Sequence, residues 1–350
     1  MLRWAEVHLD RLIRNFKKIE ELSKKRIYAV VKANAYGHGS VQVAKTLEEN
    51  TSVYGFCVAT YEEGAELRQS GIKKPILVMS STISEGKKFL KEYRLTPVVY
   101  DFDELKLVKE LSVSFHLKID TGMGRLGFLE SEWNKLLEEI RETKLIGVMT
   151  HFSSADEDYE YTKFQLKKFK SFVDKLKRKF NKVEVHSENS AAVRFKLNGI
   201  LTHSRVGLSL YGVEPCEGYP KLEQVMEVKA KVLTVKELPP NFSVSYSRTY
   251  RTNKKERIAV VSFGYADGYP RELSNRGKFL LNGELCPIRG KVCMDMTVVS
   301  VNNVKVEKDD TAIIYGEEIP FKEVSKEIGK IPYELMCSIS QRVRRIYVEV

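Results

Sequence analysis

Residues 27–32 read IYAVVK, and this is the first of eight short apolar runs that decide the fold. Runs of this length that are rich in Val and Ile favour strands over buried helices. The eight runs are IYAVVK (27–32), YGFCVA (54–59), PILVMS (75–80), TPVVY (96–100), VSFHLKID (113–120), KLIGVMTHF (144–152), KVEVHSE (182–188) and THSRVG (202–207). Eight such strands separated by helices predict an α/β fold, a parallel (β/α)8 TIM-like barrel.

Helix-like segments lie between these runs, and the pattern changes after residue 215. The amphipathic segments include VQVAKTLEE (41–49), EEGAELRQS (62–70), DELKLVKEL (103–111) and SEWNKLLEEIRE (131–142). From about Met226 the sequence alternates with a period of two, with Gly, Asn and Pro between the runs, which predicts strands. We therefore expect a barrel domain over 1–225 and a mainly β domain over 226–350, interrupted by one short helix at 321–329. The first ten or so residues can pair with the second domain.

Composition excludes several classes of protein. The chain has 350 residues, 43% of them hydrophobic, which suits two domains. No run reaches the roughly 18 apolar residues of a membrane span, and no signal sequence is recognised, so we expect a cytoplasmic protein. The five cysteines form no C-x-x-C pair, which argues against disulfides and against a metal site. The net charge of +11 lies mainly on helix faces without a nucleic-acid motif, so nucleic acid is not an expected partner.

Lys32 ends the first apolar run, in the segment AVVKANAYGHGS. A lysine at this point is either a surface residue or a buried one. Burial disfavours the charged amine and creates a nucleophile near neutral pH, which can form an imine with an aldehyde cofactor. In a barrel of this kind the active site lies at the carboxyl ends of the strands, which is where Lys32 falls.

Other strand ends carry polar residues of the same kind. The fifth run continues as HLKIDTGMGRLGF, in which Arg125 can clamp a carboxylate and the glycines let the backbone bend around a ligand; an ordinary surface loop is the alternative. The sixth run ends with His151 and the seventh contains His186, and either can be a structural barrel histidine. Asn189 and Ser190 suit a helix N-cap, a phosphate site, or both. Arg205 and Gly207 belong to the eighth run, beside the usual phosphate corner of such barrels.

The second domain contributes four further segments with candidate residues. Tyr246 lies in VSYSRTY, Tyr265 in SFGYADGYPR, Met294 and Asp295 in GKVCMDM, and Tyr333 in IPYELMCSIS. Taken singly, such tyrosines are usually half-buried core or edge residues of a β domain.

Taken together, these motifs closely resemble the bacterial alanine racemase family over nearly the whole chain. The motifs occur in the order AVVKANAYGHG, LKIDTGMGRLGF, MTHFSSADE, HSENSAA, HSRVGLSLYG, VSYSRTY, FGYADGYPR, GKVCMDM and PYELMCSISQRVRRI. The resemblance implies an isomerase that depends on pyridoxal 5'-phosphate (PLP). It implies a homodimer with shared active sites, which interconverts L- and D-alanine and supplies D-alanine for peptidoglycan.

The resemblance also implies a role for each residue. Lys32 would hold PLP as a Schiff base and act as the base for D-alanine, and Tyr246 of the partner subunit would act on L-alanine. Positions around the phosphate are matched by Tyr36, Asn189, Ser190, Gly207 and Tyr333. Arg205 would face the pyridine nitrogen with His186 behind it, and His151 would lie near the ring. Arg125 and the Met294 backbone would bind the substrate carboxylate, with Asp295, Tyr265 and Lys118 in support. Some family members carry the lysine at the Lys118 position as a carbamate.

Two positions depart from the family pattern. Ser247 follows Tyr246 where the family often has Gly, and Glu188 precedes Asn189 in a segment that often reads H-x-A-N-S. The carboxylate of Glu188 would repel a phosphate unless it is turned away.

Three other functions remain open from the sequence. The first is a decarboxylase or a racemase for another amino acid, although related barrel decarboxylases pair the ring nitrogen with a carboxylate, whereas Arg205 stands here. The second is a non-catalytic PLP carrier, which would lack the β domain. The third is a basic binding module.

Overall fold

The computed structural model describes residues 1–180, 182–197 and 199–349. The chain divides into two compact units. We call Ile13–Ala35 with Ser40–Leu222 the barrel unit, and Met1–Leu12, Tyr36–Gly39 and Glu223–Val350 the β unit. The chain begins with strand β1 (Arg3–His8) and helix α1 (Leu9–Ser23).

The barrel unit contains a closed barrel of eight parallel strands, which confirms the predicted fold class. The barrel strands are β2 (Arg26–Val30), β3 (Gly55–Val58), β4 (Ile76–Val78), β5 (Thr96–Val99), β6 (Phe115–Lys118), β7 (Leu145–Met149), β8 (Glu184–His186) and β9 (His203–Val206). Every predicted apolar run overlaps one of these strands. Closure occurs where β9 pairs with β2, and Tyr28 is the Cα partner of Arg205 there.

Helices follow the barrel strands as the amphipathic segments predict. They are α3 (Ser40–Asn50), α4 (Tyr61–Gln69), α5 (Ile83–Glu92), α6 (Phe102–Leu111), α7 (Trp133–Glu139) and α8 (Tyr159–Lys177). The short segment α2 (Lys32–Tyr36) is instead a left-handed turn. Local chemistry sets several of their starts. Thr60 and Glu63 form a capping box at α4, and the side chains of Asp101 and Asp158 cap α6 and α8.

The β unit is built mainly of strands, in agreement with the predicted fold class. Its further strands are β10 (Met226–Leu238), β11 (Ser243–Val244), β12 (Tyr250–Arg251), β13 (Glu256–Val261), β14 (Lys278–Leu281), β15 (Glu284–Pro287), β16 (Thr297–Ser300), β17 (Thr311–Tyr315) and β18 (Arg344–Val348). The main sheet has the order β15-β14-β17-β10-β1-β18, so the N-terminal strand pairs inside this unit. Besides α9 (Phe321–Glu327), this unit contains a second short helix that we did not predict, α10 (Pro332–Ser338). It begins with a proline, a residue that is favoured at the first position of a helix.

The interior of the barrel is unusually polar. A barrel of this type is normally filled by branched apolar side chains. Here His116, Lys118, His186, His203 and Arg205 are all buried, on β6, β8 and β9. Buried polar groups must be hydrogen-bonded or paired, so this interior calls for a network. None of the helices in the described part of the chain combines the length and apolarity needed to cross a membrane.

Candidate active site

Lys32 follows the end of β2 and begins a left-handed turn. Ala33, Asn34 and Ala35 have φ of 52°, 53° and 53°, and such a run costs about 1–2 kcal/mol per non-glycine residue. Two hydrogen bonds between backbone and side chain stabilise the turn. Ala33 N donates to Glu63 Oε1 at 2.7 Å, and Ser40 N donates to Asn34 Oδ1 at 2.9 Å. Backbone strain of this kind gathers at functional sites, where the surroundings enforce it.

Arg205 is buried on β9 and is surrounded by acceptors from the neighbouring strands. Its guanidinium donates to His186 Nδ1 at 2.7 Å, to Thr150 O at 2.8 Å and to His151 Nδ1 at 3.2 Å. Burial lowers the pKa of Arg205 to about 10, so it stays charged at neutral pH. Burial, followed by the charge of Arg205, holds the pKa of both histidines well below the usual value, which keeps them neutral.

Lys118 ends β6 and belongs to the same cluster of charge. Burial first, then the charges of Arg125, Arg205 and Lys32, lower the pKa of Lys118 to about 8. A sizeable share of its amine is therefore neutral at slightly alkaline pH. In the glycine-rich loop that follows, the Asp120 carboxylate accepts bonds from the backbone N–H groups of Gly122, Met123 and Arg125 at 2.8–3.0 Å. These bonds fix the loop that carries Arg125.

The segments after β8 and β9 are joined by side-chain contacts. Ser190 Oγ accepts hydrogen bonds from Gly207 N at 3.1 Å and from Ser209 N at 3.3 Å. Asn189 Oδ1 accepts from Ala192 N at 3.0 Å, as expected for a residue that caps a short helical segment. Three of the five residues predicted for the phosphate, Asn189, Ser190 and Gly207, thus come from one connected corner of the barrel unit.

Glu188, the departure from the family pattern, is fully buried and paired. One of its carboxylate oxygens lies 3.2 Å from Lys25 Nζ, and the other accepts a bond from the Ser204 hydroxyl. Burial raises the pKa of Glu188 against the lowering effect of those two partners. The carboxylate is therefore turned to partners of its own, which answers the question of charge that the sequence raised.

The β unit holds Tyr246 on an exposed turn, with 66% of its surface accessible. Ser245 on one side donates to Lys291 O at 2.6 Å, and Ser247 on the other accepts from Lys291 Nζ at 2.9 Å. Ser247 has φ of 58°, in the left-handed region that glycine adopts without strain. This conformation is a physical reason for a glycine at this position in relatives.

Two other exposed candidate residues of the β unit, Tyr265 and Met294, lie on segments joined by backbone hydrogen bonds. Tyr265 N donates to Cys293 O and Ala266 N to Met294 O, both at 3.0 Å, so the segments with Tyr265 and Met294 lie side by side. A Cβ at Gly264 would meet those same carbonyls at 2.3–2.4 Å, so only glycine fits there. Tyr265 and Met294 are 43% and 52% exposed. Elsewhere in this unit the rings of Tyr36 and Tyr333 lie 5.3 Å apart, and Asp295 pairs with Arg342 at 2.7 Å.

Four buried or half-buried residues of the barrel were not singled out from the sequence: Tyr28, Tyr54, His116 and Glu184. His116 Nδ1 lies 2.7 Å from His186 Nε2, and both tyrosine hydroxyls donate to Glu184. The spacing of residues in the sequence indicates most of them. Strand residues two apart share a face, and Tyr28 stands four before Lys32, His116 two before Lys118 and Glu184 two before His186.

The charge at the carboxyl ends of the barrel strands fits a doubly anionic ligand. Four cations, Lys32, Lys118, Arg125 and Arg205, lie close enough to His151 that each lowers its pKa. A phosphate and a substrate carboxylate would neutralise such a cluster, and Lys32 offers an amine for an aldehyde. The donor set therefore fits pyridoxal phosphate with an amino acid.

A barrel with a lysine and an arginine at the active-site end of its strands defines a class of lysine-dependent aldehyde-cofactor enzymes. Two family profiles match the chain, "Alanine racemase, N-terminal domain" over residues 7–215 and "Alanine racemase, C-terminal domain" over residues 225–347. The chain belongs to the alanine racemase family, whose members are isomerases that depend on pyridoxal phosphate.

Individual relatives match over their full lengths. The alanine racemases of Aquifex aeolicus and Aquifex pyrophilus are 46% and 42% identical, each over 98% of both chains. The solved alanine racemase of Clostridium difficile 630 superimposes with a TM-score of 0.93 at 36% identity, covering 100% of this chain and 96% of that one. An alanine racemase from Bartonella henselae "with covalently bound pyridoxal phosphate" gives a TM-score of 0.90 at 26% identity, covering 99% and 100%.

Proposed function

We propose that this protein interconverts L-alanine and D-alanine with pyridoxal phosphate, using Lys32 and Tyr246 of the partner subunit as two bases. The observation that carries the proposal is the Arg205 guanidinium, which neutral histidines hold in place at the end of the barrel that also carries Lys32. Family membership supports the substrate, because the full-length relatives are named alanine racemases.

Racemisation needs proton exchange on both faces of the α-carbon. Pyridoxal phosphate, when bound, spreads the negative charge that is left as the α-proton departs. Lys32 Nζ takes or returns the proton on one face, and the phenolic oxygen of Tyr246 of the partner subunit does so on the other. The exposure of Tyr246 in the single chain supports this assignment, because its side chain is available to a second copy.

Arg205 favours racemisation over other reactions of the same cofactor. A guanidinium is effectively never deprotonated, so it gives no proton to a pyridine nitrogen. The charge at the α-carbon is then stabilised less, and prompt return of a proton is favoured over transamination. Decarboxylation, the main rival, is further disfavoured because Arg125 would hold the substrate carboxylate in place by a charge-assisted pair.

Lys118 supports Arg125 in this proposal as a carbamate. Its pKa of about 8 makes the neutral amine available to attack carbon dioxide, which forms an N–C bond and releases one proton. The product is an anion that lies among the cations that lower the pKa of Lys118. The modification therefore replaces repulsion between the Lys118 ammonium group and these cations by attraction between the carbamate and the same cations. The new carboxylate would orient the guanidinium of Arg125, with the Met294 backbone completing the site for the substrate carboxylate.

Asn189, Ser190, Gly207, Tyr36 and Tyr333 complete the proposal as phosphate ligands, with Tyr265 and Asp295 in support. The corner formed by Ser190 and Gly207 supports it, because backbone N–H groups at the eighth strand of such barrels commonly bind phosphate. The proposed assembly is a homodimer, since each site needs residues of two copies. We place the enzyme in the cytoplasm, where its D-alanine would supply peptidoglycan synthesis.

Chiral chromatography tests the proposal directly. Purified protein is incubated with L-alanine and separately with D-alanine, with and without pyridoxal phosphate. Both incubations with the cofactor should reach the same mixture of enantiomers. Release of carbon dioxide without inversion would indicate a decarboxylase, and retention of each pure enantiomer would refute the proposal.

A further inference from the structure

A chain of polar contacts runs through the interior of the barrel from Arg205 to Glu184, at the amino-terminal start of β8; its first two contacts are hydrogen bonds, and the last is a longer electrostatic contact. Arg205 contacts His186 Nδ1 at 2.7 Å, and His186 Nε2 contacts His116 Nδ1 at 2.7 Å. His116 Nε2 then lies 3.6 Å from Glu184 Oε2. The two imidazole rings are fully buried. In such surroundings each polar contact polarises the next one and strengthens it.

The chemistry of the two ends gives this chain a single direction. Arginine can only donate, so His186 Nδ1 must accept, and the proton of this neutral ring sits on Nε2. His186 therefore donates to His116 Nδ1, which leaves the His116 proton on Nε2, facing Glu184. A carboxylate can only accept, so its approach to His116 Nε2 at 3.6 Å favours the same arrangement.

Two tyrosines keep Glu184 in the role of an acceptor. The Tyr28 hydroxyl donates to Oε2 at 2.6 Å, and the Tyr54 hydroxyl donates to Oε1. Burial, followed by the nearby carboxylate, raises the pKa of Tyr28, and burial with the hydrogen bond to Glu184 raises that of Tyr54 to about 12. Both hydroxyls therefore keep their protons and continue to donate. Burial also lowers the pKa of His116 to about 4, so its ring is neutral.

The barrel backbone makes room for this chain. Gly147 on β7 is the Cα partner of His116 on β6, and a Cβ at Gly147 would lie 2.4 Å from His116 Nδ1. Any side chain there would push the imidazole away from His186. Glu184, Tyr28, Tyr54 and His116 also line a cavity of about 670 Å³, so the far end of the chain borders a space distinct from the strand ends that carry Lys32.

We propose that Glu184 is a positioning residue, which acts through His116 and His186 to hold the Arg205 guanidinium in the orientation that the active site requires. Neither imidazole needs to gain or lose a proton for this role. The tautomers of the two rings follow from Arg205 and agree with the position of Glu184, and only the consequence for catalysis rests on the proposed function.

Nitrogen-15 NMR of the histidines in the holoenzyme tests the proposal without relying on activity. In the wild type, His116 and His186 should each show one neutral tautomer, protonated on Nε2. Glu184→Gln removes the anionic acceptor that faces His116 Nε2 while Arg205 still sets both tautomers, so the nitrogen-15 signal of His116 Nε2 should shift without a change of tautomer. Gly147→Ala changes no charge but displaces the His116 ring, and should have the same effect.

Kinetics and the absorbance of the bound cofactor give the second measurement. Both variants should lower kcat about 2- to 30-fold, change KM less than kcat, and shift the cofactor absorbance. Ser325→Ala is the control, because Ser325 is a buried polar residue of α9 in the β unit, outside this chain of contacts, and the change should leave the His116 and His186 signals unaltered.

The outcomes are decisive in either direction. An Nδ1-protonated His186 in the wild type, or an unchanged His116 Nε2 signal and an unchanged kcat in both variants, would overturn the role of Glu184. If Glu184→Gln does not fold, Gly147→Ala and the wild-type spectrum decide the matter. A wild type without racemase activity would defeat the proposed function, yet the tautomers would still be read.

Discussion

His151 and Arg205 are joined by a 3.2 Å contact in which the guanidinium donates to Nδ1, so the histidine must accept and be neutral. The fully buried His116 and His186, and the buried His203, likewise have pKa values below the usual one. These rings couple the stability of the protein to pH, because they take up protons readily only in the unfolded chain.

Stability should therefore fall as the pH drops from 7 to 5. A histidine with a depressed pKa stabilises the fold fully above its unfolded value of about 6.5, and that contribution is lost progressively at lower pH. His116, with a pKa of about 4, should alone cost about 2 kcal/mol between pH 6.5 and 5. The raised pKa values of Glu104 and Glu188 work in the opposite direction, but the histidines with lowered pKa values outnumber them. Urea unfolding at both pH values measures the effect, and a flat free energy would contradict it.

Carbon dioxide should modify Lys118 reversibly. Because its pKa is about 8, the neutral amine is available and should capture labelled bicarbonate as a carbamate with its own carbon-13 NMR signal. Lys118→Arg provides the control, since an arginine keeps the charge but offers no such amine. A signal of equal intensity in both proteins would assign the modification to another residue.

Two inactive variants should restore activity to each other if the sites are shared between subunits. Lys32→Ala and Tyr246→Ala homodimers each lack one base in every site. In a mixed dimer, one site combines an intact Lys32 with an intact Tyr246 from the other copy. After denaturation and joint refolding, roughly a quarter of the wild-type activity should return, from statistical pairing in a symmetric dimer. No recovery, with mixed dimers verified by mass, would place both bases in one chain.

Removing the tyrosine hydroxyl should affect the two enantiomers unequally. Tyr246→Phe keeps the ring but cannot carry the proton, so deuterium exchange at the α-carbon of L-alanine should slow by roughly 100-fold or more in a single turnover. Exchange with D-alanine, which depends on Lys32, should slow much less. Equal slowing for both enantiomers would count against two separate bases.

The left-handed turn after Lys32 should be relieved by glycine. Ala33→Gly removes the Cβ that is strained at φ of 52°, so the free energy of unfolding should rise by up to about 1 kcal/mol. Ala44→Gly is the opposite control, because Ala44 is buried in the ordinary helix α3, where glycine should cost about 1 kcal/mol or more. Thermal unfolding of the two variants compares them, and destabilisation by Ala33→Gly would show that the turn stores no such strain.

The sequence by itself determined the order of strands and helices and the placement of Lys32, Lys118, His151, His186 and Arg205 at strand ends. These features are local, because the period of apolar residues follows backbone geometry. Tertiary structure alone decided the rest. The partnership of Glu188 with Lys25, and the chain from Arg205 to Glu184, join residues distant in sequence that become neighbours only when the barrel closes. The left-handed turn at Ala33 likewise depends on Glu63 from another helix. Local propensity cannot encode such contacts, because their partners are chosen by closure of the sheet.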